Sequence, residues 1–161
     1  MKMKYVVIII LVLLTISLVI LLLCNKKKEE EKIESISSLS FFYTNGYAIN
    51  SDIRYELDCK DKCIAIIKPY GESEEDSIEV EVNKDILNKI IDVLNKYNVL
   101  KWNGFSGSDK YVLDGDSFSI HFTYNDEKRV SASGYMMWPD NYREVKDELD
   151  SIFKELENDR D

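Results

Sequence analysis

The strongest constraint on the fold is an apolar run near the start of the chain, residues 5–24, which contains no Asp, Glu, Lys, Arg or His. As an α-helix this run would be about 30 Å long, which matches the hydrocarbon core of a bilayer. A buried helix of a soluble domain is a poor alternative, because no face of the run is polar. The run therefore predicts an N-terminal transmembrane helix that acts as an uncleaved signal-anchor.

The end of this run leaves a second interpretation open. Leu21-Leu22-Leu23-Cys24 resembles the signal of bacterial lipoproteins, in which a cysteine after a leucine-containing tripeptide is lipidated. Leu23 departs from that pattern, because the residue before such a cysteine is normally small. Cys24 is the lipidation candidate in this alternative. Lysines flank the run on both sides, so orientation rests on its position at the start of the chain. That position predicts a single-pass protein of the bacterial cell envelope with an extracytoplasmic C-terminal domain.

Charge and composition divide the chain into a membrane anchor (1–24), a charged juxtamembrane linker (25–37) and a folded domain (38–161). The formal net charge is −9, and residues 1–24 contain two lysines and no acid, so the acidic excess lies in the other two segments. An acidic surface repels phosphate backbones, which argues against nucleic acid as a partner. The expected partners are the membrane, through residues 5–24, and a protein or cationic peptide.

Alternating apolar residues predict several strands in the folded domain. Residues 53–68 form the clearest hairpin, and a second hairpin is predicted from 117–124 and 129–133. Residues 77–82 alternate in the same way, and residues 39–49 indicate one bent strand or a small hairpin. Because most of these segments are joined by short turns, the sheet is expected to be antiparallel.

Two amphipathic patterns predict helices at about 84–97 and 141–157. Asn83 precedes the first as an N-cap, and Asn141 with Glu144 gives the second a start like a capping box. The predicted fold class is α+β. It consists of a transmembrane helix followed by one antiparallel sheet of about five to six strands, with two helices on one face.

Cys59 and Cys63 are predicted to lie opposite each other across the turn of the first hairpin. In an oxidising compartment they would form a disulfide, and in a reducing one they would be two small apolar residues at a strand end. With one His and three Cys in the chain, a zinc site is not expected, and no other cofactor is predicted.

The stretch 101–139 contains both tryptophans and is the most informative part of the domain. Its aromatic residues are the candidate binding surface, because Trp and Tyr are favoured as binding anchors. For the two tryptophans themselves, the favoured interpretation is a position in the core between the sheet and the helices. The predicted binding group is Trp102, Phe105, Tyr111, Tyr135 and Trp138, together with His121.

Two weaker patterns in the same stretch concern metal binding and catalysis. Asp109, Asp114 and Asp116 lie on a Gly-containing loop, which is the type of segment that binds calcium, but turn chemistry alone also explains them. His121 lies in a row of Ser and Thr side chains on a predicted strand, without a fixed partner. Neither pattern is specific, so we predict no metal site and no catalytic residue.

Several segments of the domain resemble a group of small bacterial proteins with a signal or lipoprotein-like start and no assigned activity. They are Lys-Trp-Asn-Gly-Phe at 101–105, Val-Leu-Asp-Gly-Asp-Ser-Phe at 112–118 and Ser-Ala-Ser-Gly-Tyr-Met at 131–136, followed by Pro139 and Tyr142. The resemblance implies export but no reaction. We predict a noncatalytic binding or interaction module of the envelope. An immunity or sequestering protein against a cationic toxin is the first alternative, and a hydrolase is the second.

Overall fold

The computed structural model describes residues 4, 5, 12, 13, 15–17, 31–44, 52–68 and 76–158. The chain divides into two compact units, Met1–Glu31 and Lys32–Asp161. In the first unit, the described residues before Glu31 are helical. Most of residues 5–24, including Cys24, lie outside the described residues.

The prediction of a transmembrane helix is contradicted. Among the residues that the structure describes, none of the helices is both long enough and apolar enough to cross a membrane. The predicted signal-anchor and the predicted single-pass, membrane-anchored location are therefore wrong by this measure.

The second unit contains a seven-stranded sheet with the strand order β4-β3-β2-β1-β6-β7-β5. The two hairpins expected from alternation are confirmed as β2–β3 and β6–β7, both antiparallel. The strands are β1 (Ile36–Thr44), β2 (Ile53–Asp58), β3 (Ile64–Lys68), β4 (Ile78–Glu81), β5 (Ser106–Ser108), β6 (Ser117–Tyr124) and β7 (Lys128–Tyr135).

The sheet is mixed, which corrects the prediction of an antiparallel sheet of five to six strands. The additional strand β5 pairs parallel to β7 at one edge. The turn before β5 is attached to β7 by backbone groups, since the Gly104 N–H donates to the Ser131 carbonyl and the Ser131 N–H donates to the Asn103 side chain. Gly104 has a φ of 82°, a conformation that glycine adopts without strain. With only three residues, Ser-Gly-Ser, this strand has no alternation of apolar and polar side chains from which it could have been predicted.

Two α-helices cover one face of the sheet: α1 (Lys84–Lys96) and α2 (Tyr142–Asn158), with a short 3₁₀ helix at Val99–Trp102 between them. The predicted N-cap of α1 is confirmed, because the Asn83 side chain accepts a hydrogen bond from the Ile86 N–H at 2.9 Å. The start of α2 differs from the prediction. Asn141 has a φ of 60°, in the left-handed region and not the extended conformation of a usual N-cap.

The core lies between the sheet and these helices. Phe41 and Ile120, from the two central strands, are fully buried, and Tyr55 of β2 stacks on Phe153 of α2 with ring centroids 4.3 Å apart. The opposite face of the sheet carries Ser38, Ser40, Ser119, His121 and Thr123, which are exposed or half-buried. This alternation between faces places one row of side chains in the core and leaves the other open to solvent.

The segment before β1, residues 32–35, is attached to the rest of the second unit by two asparagine side chains. Asn95 of α1 accepts from the Ile33 N–H at 2.9 Å and donates to the Ile33 carbonyl at 2.8 Å. Asn125, in the β6–β7 turn, accepts from the backbone N–H groups of Glu34 and Ser35 and donates to the Lys32 carbonyl. Ile33 itself is buried.

Candidate functional site

The loop between β5 and β6, residues 109–116, is held in place by several hydrogen bonds. The Asp109 N–H donates to the Tyr135 carbonyl at 3.0 Å, and the Asp109 carboxylate accepts from the Tyr111 N–H at 2.9 Å. The Tyr135 hydroxyl donates to the Val112 carbonyl at 3.3 Å. The Met136 N–H donates to the Asp116 carbonyl at 2.9 Å. The loop is therefore attached to Tyr135 and Met136, at the C-terminal end of β7, through Asp109, Val112 and Asp116.

This fixed loop directs two large apolar side chains into solvent. Tyr111 is 97% exposed and Leu113 is 93% exposed, while Val112 between them is half-buried. Among the described residues of the second unit, the exposed large apolar side chains are these two and Met137, all within the stretch 101–139. A contiguous exposed apolar patch is typical of an interaction surface, and Tyr111 and Leu113 are two positions apart on one loop. We call residues 109–116 the apolar loop.

Acidic side chains accompany the two apolar ones. Asp114 is exposed beside Leu113, and Asp109 is half-buried at the base of the loop. The weak metal candidates Asp109, Asp114 and Asp116 do not form a metal centre. Within the described ranges, no group of three or more His, Cys, Asp or Glu side chains is arranged to hold a metal ion.

Three of the predicted aromatic binding residues come together on the other side of this stretch. Trp102, Phe105 and Trp138, with Tyr97, line one cleft of about 360 Å³ that we call the aromatic cleft. Trp102 is only 3% exposed, and its indole N–H donates to the Asp140 carbonyl at 3.0 Å, so it is a core residue that also lines the cleft. Trp138 is half-buried and stacks on Tyr142 at 4.6 Å.

The predicted aromatic group is therefore divided. Tyr111 belongs to the apolar loop, and Tyr135 supports that loop through its hydroxyl group. The remaining three surround the buried ring of Phe118. The distance between ring centroids is 6.3 Å to Trp102, 6.2 Å to Phe105 and 5.5 Å to Trp138. Trp102 is buried and is therefore a core residue. Trp138 packs against the core but is also partly exposed at the surface.

His121 lies apart from both sites, on the open face of the sheet. Its cross-strand neighbours are Ser40 of β1 and Ser131 of β7, and Glu56 of β2 continues the same row. These side chains line a shallow concavity of about 560 Å³. No hydrogen bond to the imidazole is formed among the residues that the structure describes, so the row supplies no oriented acid–base pair.

A polar cluster that was not anticipated lies between the sheet and α2. The hydroxyl of Tyr43 donates to both carboxylate oxygens of Asp150 at 2.7 and 2.8 Å, and the Lys146 ammonium donates to the same carboxylate at 2.9 Å. Lys146 also lies over the Tyr43 ring at 4.4 Å. Asp150 is 8% exposed. Burial, reinforced by Tyr55 and Asp150, raises the pKa of Tyr43 far above its usual range, so its phenol stays protonated.

Tyr43 and Lys146 both donate to Asp150, so this buried carboxylate has the hydrogen-bond partners that a buried polar group requires. The signal for it in the sequence was weak. Tyr43 follows Leu39 and Phe41 on the buried face of β1, but nothing close in sequence indicates that it meets an acid on α2.

The two cysteines of the first hairpin are joined. A disulfide links Cys59 to Cys63 across the β2–β3 turn. Both residues are half-buried, and both flank hydrogen bonds of the sheet, since the Cys59 N–H donates to Ser37 and the Cys63 carbonyl accepts from Val82.

Comparison with known proteins adds no family assignment. No protein-family model matches the sequence, and no curated protein shows significant similarity to it.

Proposed function

We propose that this protein is a noncatalytic interaction module whose apolar loop docks into a groove of a protein partner. The observation that carries the proposal is the exposure of Tyr111 and Leu113, 97% and 93%, on a loop whose backbone is attached to the rest of the domain by hydrogen bonds. A fixed loop loses little conformational freedom on binding, so more of the contact free energy is available for affinity.

The chemistry of the loop defines the partner. Tyr111 and Leu113 require an apolar pocket, because each is large and almost completely exposed in this chain. Asp109 and Asp114 adjoin them, and the whole chain has a formal net charge of −9. The rim of the partner's pocket is therefore basic, and electrostatic attraction raises the association rate while the apolar contacts determine the dissociation rate.

The arrangement of the titratable side chains supports binding without catalysis. Asp150 is held by Tyr43 and Lys146, and the phenol of Tyr43 does not ionise near neutral pH. His121 has no hydrogen-bonded acid or base among the described residues. Catalysis by a nucleophile and base requires such an oriented pair.

The test is site-specific photo-crosslinking of the full chain in the cell that produces it. The residue p-benzoylphenylalanine replaces Tyr111 in one protein and Asn88 in the control, because Asn88 is also exposed but lies on α1. We expect a discrete adduct from position 111 that the Asn88 control does not give. Adding Leu113→Ser should remove the adduct without changing the melting temperature, because exposed substitutions usually alter stability by less than about 0.5 kcal/mol.

A second pair of variants tests the charge of the partner. Asp109→Asn with Asp114→Asn should reduce the adduct yield, and the loss should diminish as the ionic strength rises, since salt screens the attraction in both proteins. Equal adducts at positions 111 and 88, or an adduct that Leu113→Ser leaves unchanged, would show that the apolar loop is not the interaction surface.

A further inference from the structure

We propose that the aromatic cleft binds a neutral sugar ring. The cleft has preformed walls. Trp138 and Phe105 are its partly exposed aromatic side chains, and Trp138 is held by stacking on Tyr142. Trp102 is almost fully buried and is fixed by the hydrogen bond from its indole N–H to the Asp140 carbonyl. Its volume of about 360 Å³ lies at the lower end of the range for small-molecule sites. A pyranose ring has an apolar C–H face that fits against an aromatic wall, and hydroxyl groups at its edge that require hydrogen-bond partners.

The charges around the cleft favour a neutral ligand over an ion. Lys101 and Asp140 both line the cleft, and both are exposed. An anionic ligand would meet the Asp140 carboxylate, and a cationic one would meet the Lys101 ammonium. An aromatic cage usually binds a quaternary ammonium ion, and such a site has no cationic neighbour. This cleft has one, Lys101, and therefore does not suit that ligand.

The polar groups at the edge match the hydroxyls of a sugar. The Asp140 carboxylate is a pure acceptor, and the Asn141 amide supplies both a donor and an acceptor. Neither side chain forms a hydrogen bond within the part of the chain that the structure describes. Both are held at the mouth of the cleft by the turn that enters α2, in which Asn141 has a φ of 60°. An acceptor and a donor side by side can bind two neighbouring hydroxyl groups of one ring.

The chain offers a direct readout of this site. It contains two tryptophans, and both line the aromatic cleft, so intrinsic tryptophan fluorescence of the folded protein responds to a ligand bound there. We would titrate the full-length protein with methyl glucoside, methyl galactoside, methyl mannoside and N-acetylglucosamine, with choline and glucuronate as charged comparators.

Two variants remove polar groups of the site without disturbing the fold. Asn141→Gly deletes the amide at a backbone conformation that glycine adopts more easily, and Asp140→Ala deletes the carboxylate while keeping the backbone carbonyl that accepts from Trp102. Asp126→Gly is the matched control, because Asp126 also has a positive φ of 75° and is exposed, but lies in the β6–β7 turn.

We expect saturable binding of at least one neutral pyranoside with a dissociation constant in the millimolar range or below, about −4 kcal/mol or more favourable. Asn141→Gly and Asp140→Ala should each weaken it by about tenfold, the loss expected for one hydrogen bond, while Asp126→Gly leaves it unchanged. Absence of a fluorescence change with every neutral sugar, tighter binding of choline or glucuronate, or equal affinity in all variants would overturn the proposal.

Discussion

The buried cluster of Tyr43, Asp150 and Lys146 permits a quantitative prediction for Tyr43→Phe. The substitution removes one hydroxyl group and leaves the ring in the core. The hydroxyl donates to a carboxylate that is only 8% exposed, so the lost interaction is a charge-assisted hydrogen bond to a largely buried group. Hydrogen bonds to charged groups contribute about 1.5–3 kcal/mol. We expect the free energy of unfolding to fall by about 2 kcal/mol, since Lys146 continues to neutralise Asp150.

Urea unfolding at pH 7, followed by tryptophan fluorescence, measures this loss. With a urea dependence of about 2 kcal/mol per M for a domain of this size, the unfolding midpoint should decrease by about 1 M at an unchanged slope. The matched control is Tyr97→Phe. The Tyr97 hydroxyl also donates to a carboxylate, Glu148, at 2.6 Å, but that side chain is 38% exposed. The control should cost no more than about 0.5–1 kcal/mol, as expected for a solvated contact.

A double-mutant cycle with Asp150→Asn separates the pair from its surroundings. If Tyr43 and Asp150 act together, the two losses should be non-additive by about 1–2 kcal/mol, within the range measured for residues in direct contact. The reasoning is refuted if Tyr43→Phe costs no more than Tyr97→Phe, or if the two losses add.

Three further predictions concern the core, the pH dependence and the disulfide. Trp102→Ala should cost about 3–5 kcal/mol by urea unfolding, because the side chain is 3% exposed, and a loss below about 1 kcal/mol would contradict its core role. Burial raises the pKa of Tyr43 above its unfolded value, so the folded state retains a proton that the unfolded chain loses near pH 10. The contribution of Tyr43 to the free energy of unfolding should therefore fall above pH 10 by about 1.4 kcal/mol per pH unit. In Tyr43→Phe the measured decrease with pH should be shallower by that amount. The same slope in both proteins would contradict this prediction. Reduction of the Cys59–Cys63 disulfide should lower the free energy of unfolding by about 2 kcal/mol, the small value expected for a short loop, and Cys59→Ser should abolish the response to reductant.

Local signals in the sequence were sufficient for much of the fold. The cap at Asn83 is confirmed because its hydrogen bond reaches only three residues along the chain. The two hairpins are confirmed because alternation and short turns determine both strands and their pairing. The strand β5 was missed for the opposite reason, since Ser106–Ser108 has no apolar periodicity and its pairing with β7 depends on backbone groups elsewhere.

The candidate sites depend on contacts that sequence patterns do not encode. The exposure of Tyr111 could not be predicted, because a tyrosine in a loop is equally compatible with burial. Asp150 lies between the buried residues Leu149 and Ile152, and a helical pattern alone assigns an acid to the solvent side. Its burial becomes intelligible only with Tyr43, which is 107 positions away in the chain.

The position of β1 has a mechanical consequence. This strand lies between β2 and β6, antiparallel to both, and the residues before it are fastened by Asn95 and Asn125. A tensile force applied to the residues before β1 therefore acts first on the hydrogen bonds of Asn95 and Asn125 and then on β1, a central strand. When that force acts along the axis of β1, both hydrogen-bond ladders are loaded in shear, so many bonds must break together. The edge strands β4 and β5 each have a single ladder and could be peeled off one bond at a time.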